Sequence, residues 1–154
     1  PPPAAKSKEQ MYAVGETFQL GDFTYKIEKA TQTRTIGDVS EYGFGERASK
    51  GAVFVVISFT IENLSNETAT ALVDDFTLVD SRGRKFSTSS NATTALAMEF
   101  EDQDWLLTEL QPGLAVEQMT AFEIPEDAAE GGLHLVIHEK RFFSSGVAKV
   151  ALIN

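Results

Sequence analysis

Two histidines four positions apart are the first residues whose types and spacing suggest chemistry. His134 and His138 would form a metal-binding pair in a helix, because residues four apart share one helix face. The surrounding sequence, Leu-His-Leu-Val-Ile-His, alternates instead and predicts a strand. In a strand the two histidines lie about 13 Å apart, at ~3.3 Å per residue, which is too far for one tetrahedral metal ion. We therefore interpret both as residues on the solvent-facing side of a strand.

A run of carboxylates is the second candidate for chemistry. Glu99, Glu101, Asp102 and Asp104 supply enough oxygen ligands for a calcium ion. Their order does not follow the Asp-x-Asp-x-Asp-Gly pattern of a helix-loop-helix calcium site. A solvated acidic loop is the competing interpretation, and calcium binding at this cluster is a hypothesis.

Signals for catalysis are weak in this sequence. There is no Gly-x-Ser-x-Gly motif, and neither histidine stands next to a serine along the chain. The chain contains no cysteine, which excludes thiol catalysis, thiolate zinc sites and disulfides. We predict that the protein is not an enzyme and uses no cofactor.

Three aromatic residues in long loops are candidates for binding. Tyr42 and Phe44 stand among glycines in segment 37–51, and Trp105 lies in segment 87–109. Loops carry most binding residues in β-sandwich proteins. We predict a contact surface formed by these residues, with burial of the rings in the core as the alternative.

The elements that must position these residues are predicted from patterns of period two. The longest run, 52–63 (AVFVVISFTIEN), is apolar on both faces in its first half, which indicates a central strand partly covered on its second side. Residues 95–101 are equally compatible with helix and loop, so we expect at most a short helical turn near 92–101. The other predicted strands lie at 18–20, 23–27, 72–79, 85–86, 115–124, 133–138 and 147–153. Together they predict an all-β antiparallel sandwich of about seven to nine strands.

Composition sets the broad class of the protein. The 154 residues, with 42% hydrophobic and 23% charged, are typical of one globular domain. The net charge of -10 disfavours nucleic acid as a partner. Residues 1–10 hold three of the five prolines and predict a flexible tether, followed by a domain at 11–154. Such a tether suggests a signal peptide, lipid anchor or other domain upstream, and no segment of the chain predicts a membrane span.

Five segments occur in an order that resembles the DUF4352 family. They are 21–25 (GDFTY), 61–65 (IENLS), 75–83 (DFTLVDSRG), 110–113 (LQPG) and 122–125 (FEIP). Members of this family are immunoglobulin-like sandwiches of bacterial surface lipoproteins and secreted proteins, similar to the immunoprotective extracellular antigens of mycobacteria. The resemblance covers about residues 13–153 and carries no catalytic residue onto this chain.

The resemblance implies an extracellular or cell-surface location. On that basis we expect a non-catalytic module that contacts a protein or the cell envelope, anchored by lipid or secreted. A small-ligand or calcium-binding protein of the envelope is the alternative. Two motif residues have a predicted structural role: Asn63 should hydrogen-bond the turn after its strand, and Gly83 should supply a positive φ to a hairpin turn.

Overall fold

The structure is a computed structural model that describes residues 9–71, 76–99, 108–139 and 146–152. Thirteen strands and two helices lie in these ranges. Nine of the strands form the two main sheets, within the predicted seven to nine, and the other four are short strands outside them. The strands are β1 (Glu9–Ala13), β2 (Thr17–Leu20), β3 (Phe23–Thr33), β4 (Thr35–Ile36), β5 (Glu46–Arg47), β6 (Ala52–Asn63), β7 (Ala69–Ala71), β8 (Phe76–Val79), β9 (Lys85–Ser87), β10 (Thr108–Leu110), β11 (Ala115–Pro125), β12 (Leu133–His138) and β13 (Val147–Leu152). The helices are α1 (Ser90–Glu99) and α2 (Glu126–Glu130).

Two sheets face each other and confirm the predicted β-sandwich. One sheet has the order β1-β13-β12-β8-β9, and the other has the order β11-β6-β3-β2. Two further strand pairs, β10-β7 and β4-β5, lie outside these sheets. The β2-β3 hairpin turns at Gly21 and Asp22, and Gly21 has a φ of +63°. A positive φ at only the first central residue is the geometry of a type II′ turn, which suits the twist of a hairpin.

One strand pair differs from the predicted antiparallel arrangement. β1 pairs with β13 in parallel, from Glu9 opposite Val147 to Ala13 opposite Ala151. A hairpin forces its two strands to run antiparallel, whereas β1 and β13 come from opposite ends of the chain and are free of that constraint. β1 also begins at Glu9, two residues before the predicted domain start. The remainder of the predicted tether, residues 1–8, lies outside the described residues.

The core fills the space between the sheets. β6 supplies alternate residues from Val53 to Ile61, as its period of two predicts, and β12 supplies Leu135 and Ile137 from the other sheet. Aromatic rings join the layers, since Phe59 and Phe76 meet edge to face with centroids 4.8 Å apart. Burial of this apolar surface is the main source of stability for the sandwich.

Helix α1 is longer than the short turn predicted near 92–101, and it starts earlier. Ser89 is the reason, because its hydroxyl oxygen accepts a hydrogen bond of 3.2 Å from the N–H of Ala92 and thus caps the first turn. The helix packs mainly on β11, at the outer face of the sheet that also holds β6, and Phe54 of β6 is buried in the same cluster. This explains why the first half of β6 is apolar on both faces, as the sequence indicated.

The sandwich has two distinct ends. At one end, Leu64 N donates to Asp22 O at 2.7 Å. Glu139 lies beside the β2-β3 turn, and its backbone N donates to Gly146 O at 2.9 Å. Gly146 precedes Val147, which pairs with Glu9 at the start of β1. At the other end, Ala48 N donates to Arg34 O at 2.8 Å, close to the start of β6. The twelve residues of β6 separate these ends by about 36 Å.

Candidate functional site: a groove beside the aromatic loop

A short loop between β4 and β5 holds two of the predicted binding residues. This aromatic loop, residues 37–45, is closed by a hydrogen bond of 2.7 Å from Gly45 N to Asp38 O. Within it, Gly43 N donates to Ser40 O at 3.0 Å, and Ser40 N donates to the Asp38 carboxylate at 2.9 Å. These hydrogen bonds within the loop define the backbone positions of Tyr42 and Phe44.

The close approach of the two loop strands depends on glycine. A Cβ at Gly43 would lie 2.1 Å from the carbonyl oxygen of Asp38, and one at Gly45 would lie 2.5 Å from that of Ile36. Both distances are far below van der Waals contact with backbone atoms that cannot rotate away. The glycines around Tyr42 and Phe44 therefore permit the compact form of the loop.

Tyr42 and Phe44 project into solvent rather than into the core. Tyr42 is 88% exposed and Phe44 is 77% exposed, and neither ring has a ring contact within the described ranges. Exposed aromatic rings on a well-defined loop are typical of contact surfaces. The alternative, that these rings are buried, is wrong.

A groove of about 380 Å³ lies between the aromatic loop and helix α1. Both rings line it, and α1 contributes Met98, which is itself 54% exposed. We call it the aromatic groove, and its lining residues are Gly37, Asp38, Tyr42, Gly43, Phe44, Gly45, Ala95, Met98 and Glu99. Its walls are therefore more apolar than polar, and Asp38 and Glu99 supply their charged groups.

Among the described residues that line the aromatic groove, the two charged ones are both acidic. Asp38 comes from the loop and Glu99 from the last position of α1. Hydrogen bonds from Ser40 hold the pKa of Asp38 below its usual value, so this carboxylate is ionised at neutral pH. The groove thus combines two aromatic rings and a thioether with negative charge.

A second, smaller groove of about 210 Å³ also borders α1. Its lining includes Lys29, Thr31, Thr33, Ser58, Leu96 and Met119. Glu99 borders both grooves, so the C-terminal end of α1 stands between them.

The structure tests the predicted acidic cluster at one residue. Glu99 is exposed at the end of α1, whereas Glu101, Asp102 and Asp104 lie outside the described residues, as does Trp105. Within the ranges that the structure describes, no three histidine or acidic side chains lie close enough to hold a metal ion. Calcium binding at the cluster stays a prediction.

The two histidines lie on a strand, as their surroundings predicted. β12 carries His134, which is partly buried, and His138, which is exposed at the strand end. His134 lies opposite Val79 on one side and Ala151 on the other. Neither histidine borders the aromatic groove.

A buried carboxylate elsewhere in the fold has a structural role. Asp80 is 2% exposed and accepts hydrogen bonds from Arg82 N at 3.0 Å, from Arg84 N at 2.8 Å and from Arg84 Nε at 2.6 Å. Burial alone would raise its pKa, but the backbone and guanidinium hydrogen bonds from Arg84 outweigh burial and hold the pKa below its usual value. Asp127 binds both arginines and so joins this hairpin to α2. Gly83 closes the turn with a φ of +82°, as predicted.

Sequence reasoning missed two residues of the aromatic groove. The Asp38-x-Ser40 spacing is a local sign of an Asx turn and could have identified Asp38 as a loop-forming residue. Met98 carries no such sign, because its position depends on how α1 packs against the β4-β5 hairpin. Tyr42 and Phe44 were found because they are large aromatic residues among glycines.

The fold and the groove together define a class: a β-sandwich domain with an aromatic groove between a loop and a helix that packs on the outer face of one sheet. Neither helix in the described ranges has the length and apolar character needed to cross a bilayer. The chain belongs to the DUF4352 family, a domain of unknown function, whose pattern matches residues 12–149. The family predicted from five sequence segments is therefore confirmed.

One curated relative and two solved structures illustrate the likeness. The uncharacterized protein YxkC from Bacillus subtilis (strain 168) is 26% identical over 126 residues, which span 80% of this chain and 68% of that protein. An uncharacterized β-sandwich protein from Clostridium difficile 630 is similar with a TM-score of 0.59 and 13% identity, covering 99% of this chain and 100% of that one. A secreted protein from Mycobacterium tuberculosis, MPT63, is similar with a TM-score of 0.60 and 7% identity, covering 92% of this chain and 95% of that one. At these identities the two structures share the fold with this chain.

Proposed function

We propose that this domain is a non-catalytic binding module, located outside the cell or at its surface, whose aromatic groove contacts a protein or another component of the envelope. The observation that carries this proposal is the exposure of Tyr42 and Phe44 on a loop closed by its own hydrogen bonds. Large aromatic side chains dominate the energetics of many interfaces, and exposing two of them to water is unfavourable without a partner.

Location outside the cell is supported by a protein that shares the fold, since MPT63 is described as a secreted protein. The geometry agrees with attachment through the N-terminal side. β1 begins at the end of the sandwich that carries the β2-β3 turn, whereas the base of the β4-β5 hairpin, where Ala48 N donates to Arg34 O, lies at the opposite end. A domain held through its N-terminal segment would therefore have the base of the hairpin that carries the aromatic loop at the end away from the point of attachment.

The test compares two pairs of substitutions in a sedimentation assay with isolated cell envelopes. The double variant Tyr42→Ser, Phe44→Ser removes both rings from the groove. The matched control, Leu64→Ser with Leu114→Ser, removes two exposed apolar side chains at the other end, where Asn63 N meets Leu114 O. Both pairs should change the free energy of unfolding by at most about 0.5 kcal/mol per site, because all four side chains are exposed.

We expect the wild type and the control to sediment with envelopes and the ring variant to lose at least about tenfold in affinity, since aromatic hot spots contribute ~2 kcal/mol or more. Equal retention of the two variants would overturn the proposal. A thermal melt of each variant shows whether a loss of binding reflects a loss of fold.

A further inference from the structure

The chemistry of the aromatic groove indicates what kind of partner it accepts. Two aromatic side chains and a methionine form its apolar part, and Asp38 and Glu99 are its charged residues. The described lining includes no lysine, arginine or histidine. The groove therefore attracts cations and repels anions, while its walls favour contact with hydrocarbon.

Helix α1 and the aromatic loop approach each other closely at the groove. Gly37 brings the loop close to the helix, since a Cβ there would lie 3.9 Å from the carbonyl oxygen of Ala95. Asp38 follows Gly37 in the loop, and Glu99 lies about one helix turn after Ala95. The two carboxylates therefore line the same space.

We propose that the aromatic groove binds a lysine side chain of a partner polypeptide, with its ammonium group at Asp38 and Glu99 and its aliphatic stem against Met98 and the rings. This inference rests on the proposed function and names the chemistry of the partner. Aromatic faces attract ammonium groups, and a lysine side chain joins such a group to four methylenes. Its two parts match the charged and apolar parts of the groove.

Other occupants fit less well. An anion would meet two carboxylates with no basic residue from the described lining to offset them. A neutral apolar side chain would take water from both carboxylates and give them no partner, which is unfavourable. The groove volume of about 380 Å³ is near the lower limit for ligand pockets, which suits one long side chain better than a large ligand.

The experiment titrates ¹⁵N-labelled protein with Nα-acetyl-lysine N-methylamide and follows the backbone amides by NMR. The norleucine analogue, which keeps the stem and lacks the ammonium group, is the matched probe. We expect saturable shifts of Gly43 and Gly45 with the lysine probe, in the millimolar range, and at least fivefold weaker binding of the norleucine probe. High salt should weaken the binding of the lysine probe, because interactions between exposed charges are screened.

Two isosteric substitutions remove the charges without removing the loop. In Asp38→Asn the side-chain oxygen still accepts the hydrogen bond from Ser40 N, and Glu99→Gln keeps its length. Each substitution should lower the affinity for the lysine probe about two- to fivefold, because exposed ion pairs contribute little free energy. Glu67→Gln, an exposed change near Asn63 at the other end, should leave binding unchanged.

Equal binding of the lysine and norleucine probes, or unchanged binding in the Asp38→Asn, Glu99→Gln double variant, would overturn the inference. Tighter binding of the arginine analogue than of lysine would also overturn it. The two proposals fail separately: if the envelope assay still depends on Tyr42 and Phe44 while the lysine probe does not bind, the groove is a contact site for different chemistry.

Discussion

The side-chain amide of Asn63 donates a hydrogen bond of 2.8 Å to the carbonyl oxygen of Leu110, 47 positions further along the chain. The same amide group donates to Glu67 O at 2.8 Å, and its oxygen accepts from Ser65 N at 2.9 Å. Asn63 is fully buried at the end of β6. It therefore joins the central strand to the turn that follows, as the sequence predicted, and also to β10, which the sequence did not reveal.

Replacing Asn63 by alanine should lower the free energy of unfolding by about 1–3 kcal/mol, because it leaves the buried carbonyl oxygen of Leu110 without a donor. Chemical denaturation measures the effect. Asn66→Ala, in the same turn but exposed, is the control and should change stability by less than about 0.5 kcal/mol. Equal effects of the two changes would show that the buried hydrogen bonds contribute little.

Replacing Thr120 by valine should stabilise the domain. The Thr120 side chain is fully buried, and its hydroxyl oxygen has no hydrogen-bond partner among the described residues. Valine has nearly the same shape and removes the unsatisfied polar group, so we expect a gain of about 1 kcal/mol in the free energy of unfolding. Thr31→Val, on the exposed face of β3, should give no comparable gain. A loss at Thr120 would indicate that a buried water bonds to the hydroxyl.

The Asp80 carboxylate should make stability depend on acid. Its pKa is lowered in the folded state, whereas the unfolded value is about 3.9. Its contribution is therefore complete above about pH 4 and is lost as the pH falls through the folded-state pKa. Asp80→Asn should lower Tm at pH 7, and the difference in Tm between the wild type and the variant should become smaller below pH 4 in thermal melts. A difference in Tm that stays constant down to pH 2 would contradict this assignment.

Removing the cap of α1 should loosen one wall of the aromatic groove. Ser89→Ala removes the oxygen that accepts from Ala92 N, at a cost of about 1 kcal/mol, which corresponds to about 2–4 °C in Tm. Ser90→Ala, one position later and exposed, removes no capping bond and should leave Tm equal or slightly higher. Scanning calorimetry separates the two variants, and a larger loss for Ser90→Ala would show that Ser89 is not the cap.

The compact form of the aromatic loop should fail when Gly45 becomes alanine. The new Cβ would lie 2.5 Å from the carbonyl oxygen of Ile36, so the loop must open and the Gly45–Asp38 hydrogen bond must break. We expect large NMR shifts at Tyr42 and Phe44, loss of envelope binding and about 1–3 kcal/mol lower stability. Gly132→Ala has open space around its Cβ and serves as the control. Retained binding in Gly45→Ala would show that envelope binding does not require the compact form of the loop.

Most strands could be predicted because their signal is local. β6 and β12 lie at the predicted positions 52–63 and 133–138, since apolar residues with period two and flanking turn residues are sufficient to define them. α1 gave a weaker signal, because the serine and threonine residues before it are common both in loops and at helix N-termini. Only the hydrogen bond to Ser89 distinguishes the two cases.

The aromatic groove could be predicted only in part. Tyr42 and Phe44 were identified from residue type and loop context, but Asp38 and Met98 join them through packing between distant parts of the chain. Such packing depends on the apolar outer face of β6, where Phe54 meets α1. A sequence indicates that this face must be covered, and it does not indicate which residues the covering helix brings to the loop.

The parallel pairing of β1 with β13 has a mechanical consequence. Force applied at the N-terminal end of β1 and the C-terminal end of β13 acts along the two strands in opposite directions. The ladder from Glu9–Val147 to Ala13–Ala151 would then be loaded in shear, so that its hydrogen bonds share the load and break together rather than one after another. A domain held at its first strand and pulled through its last strand would therefore resist unfolding through this one pair.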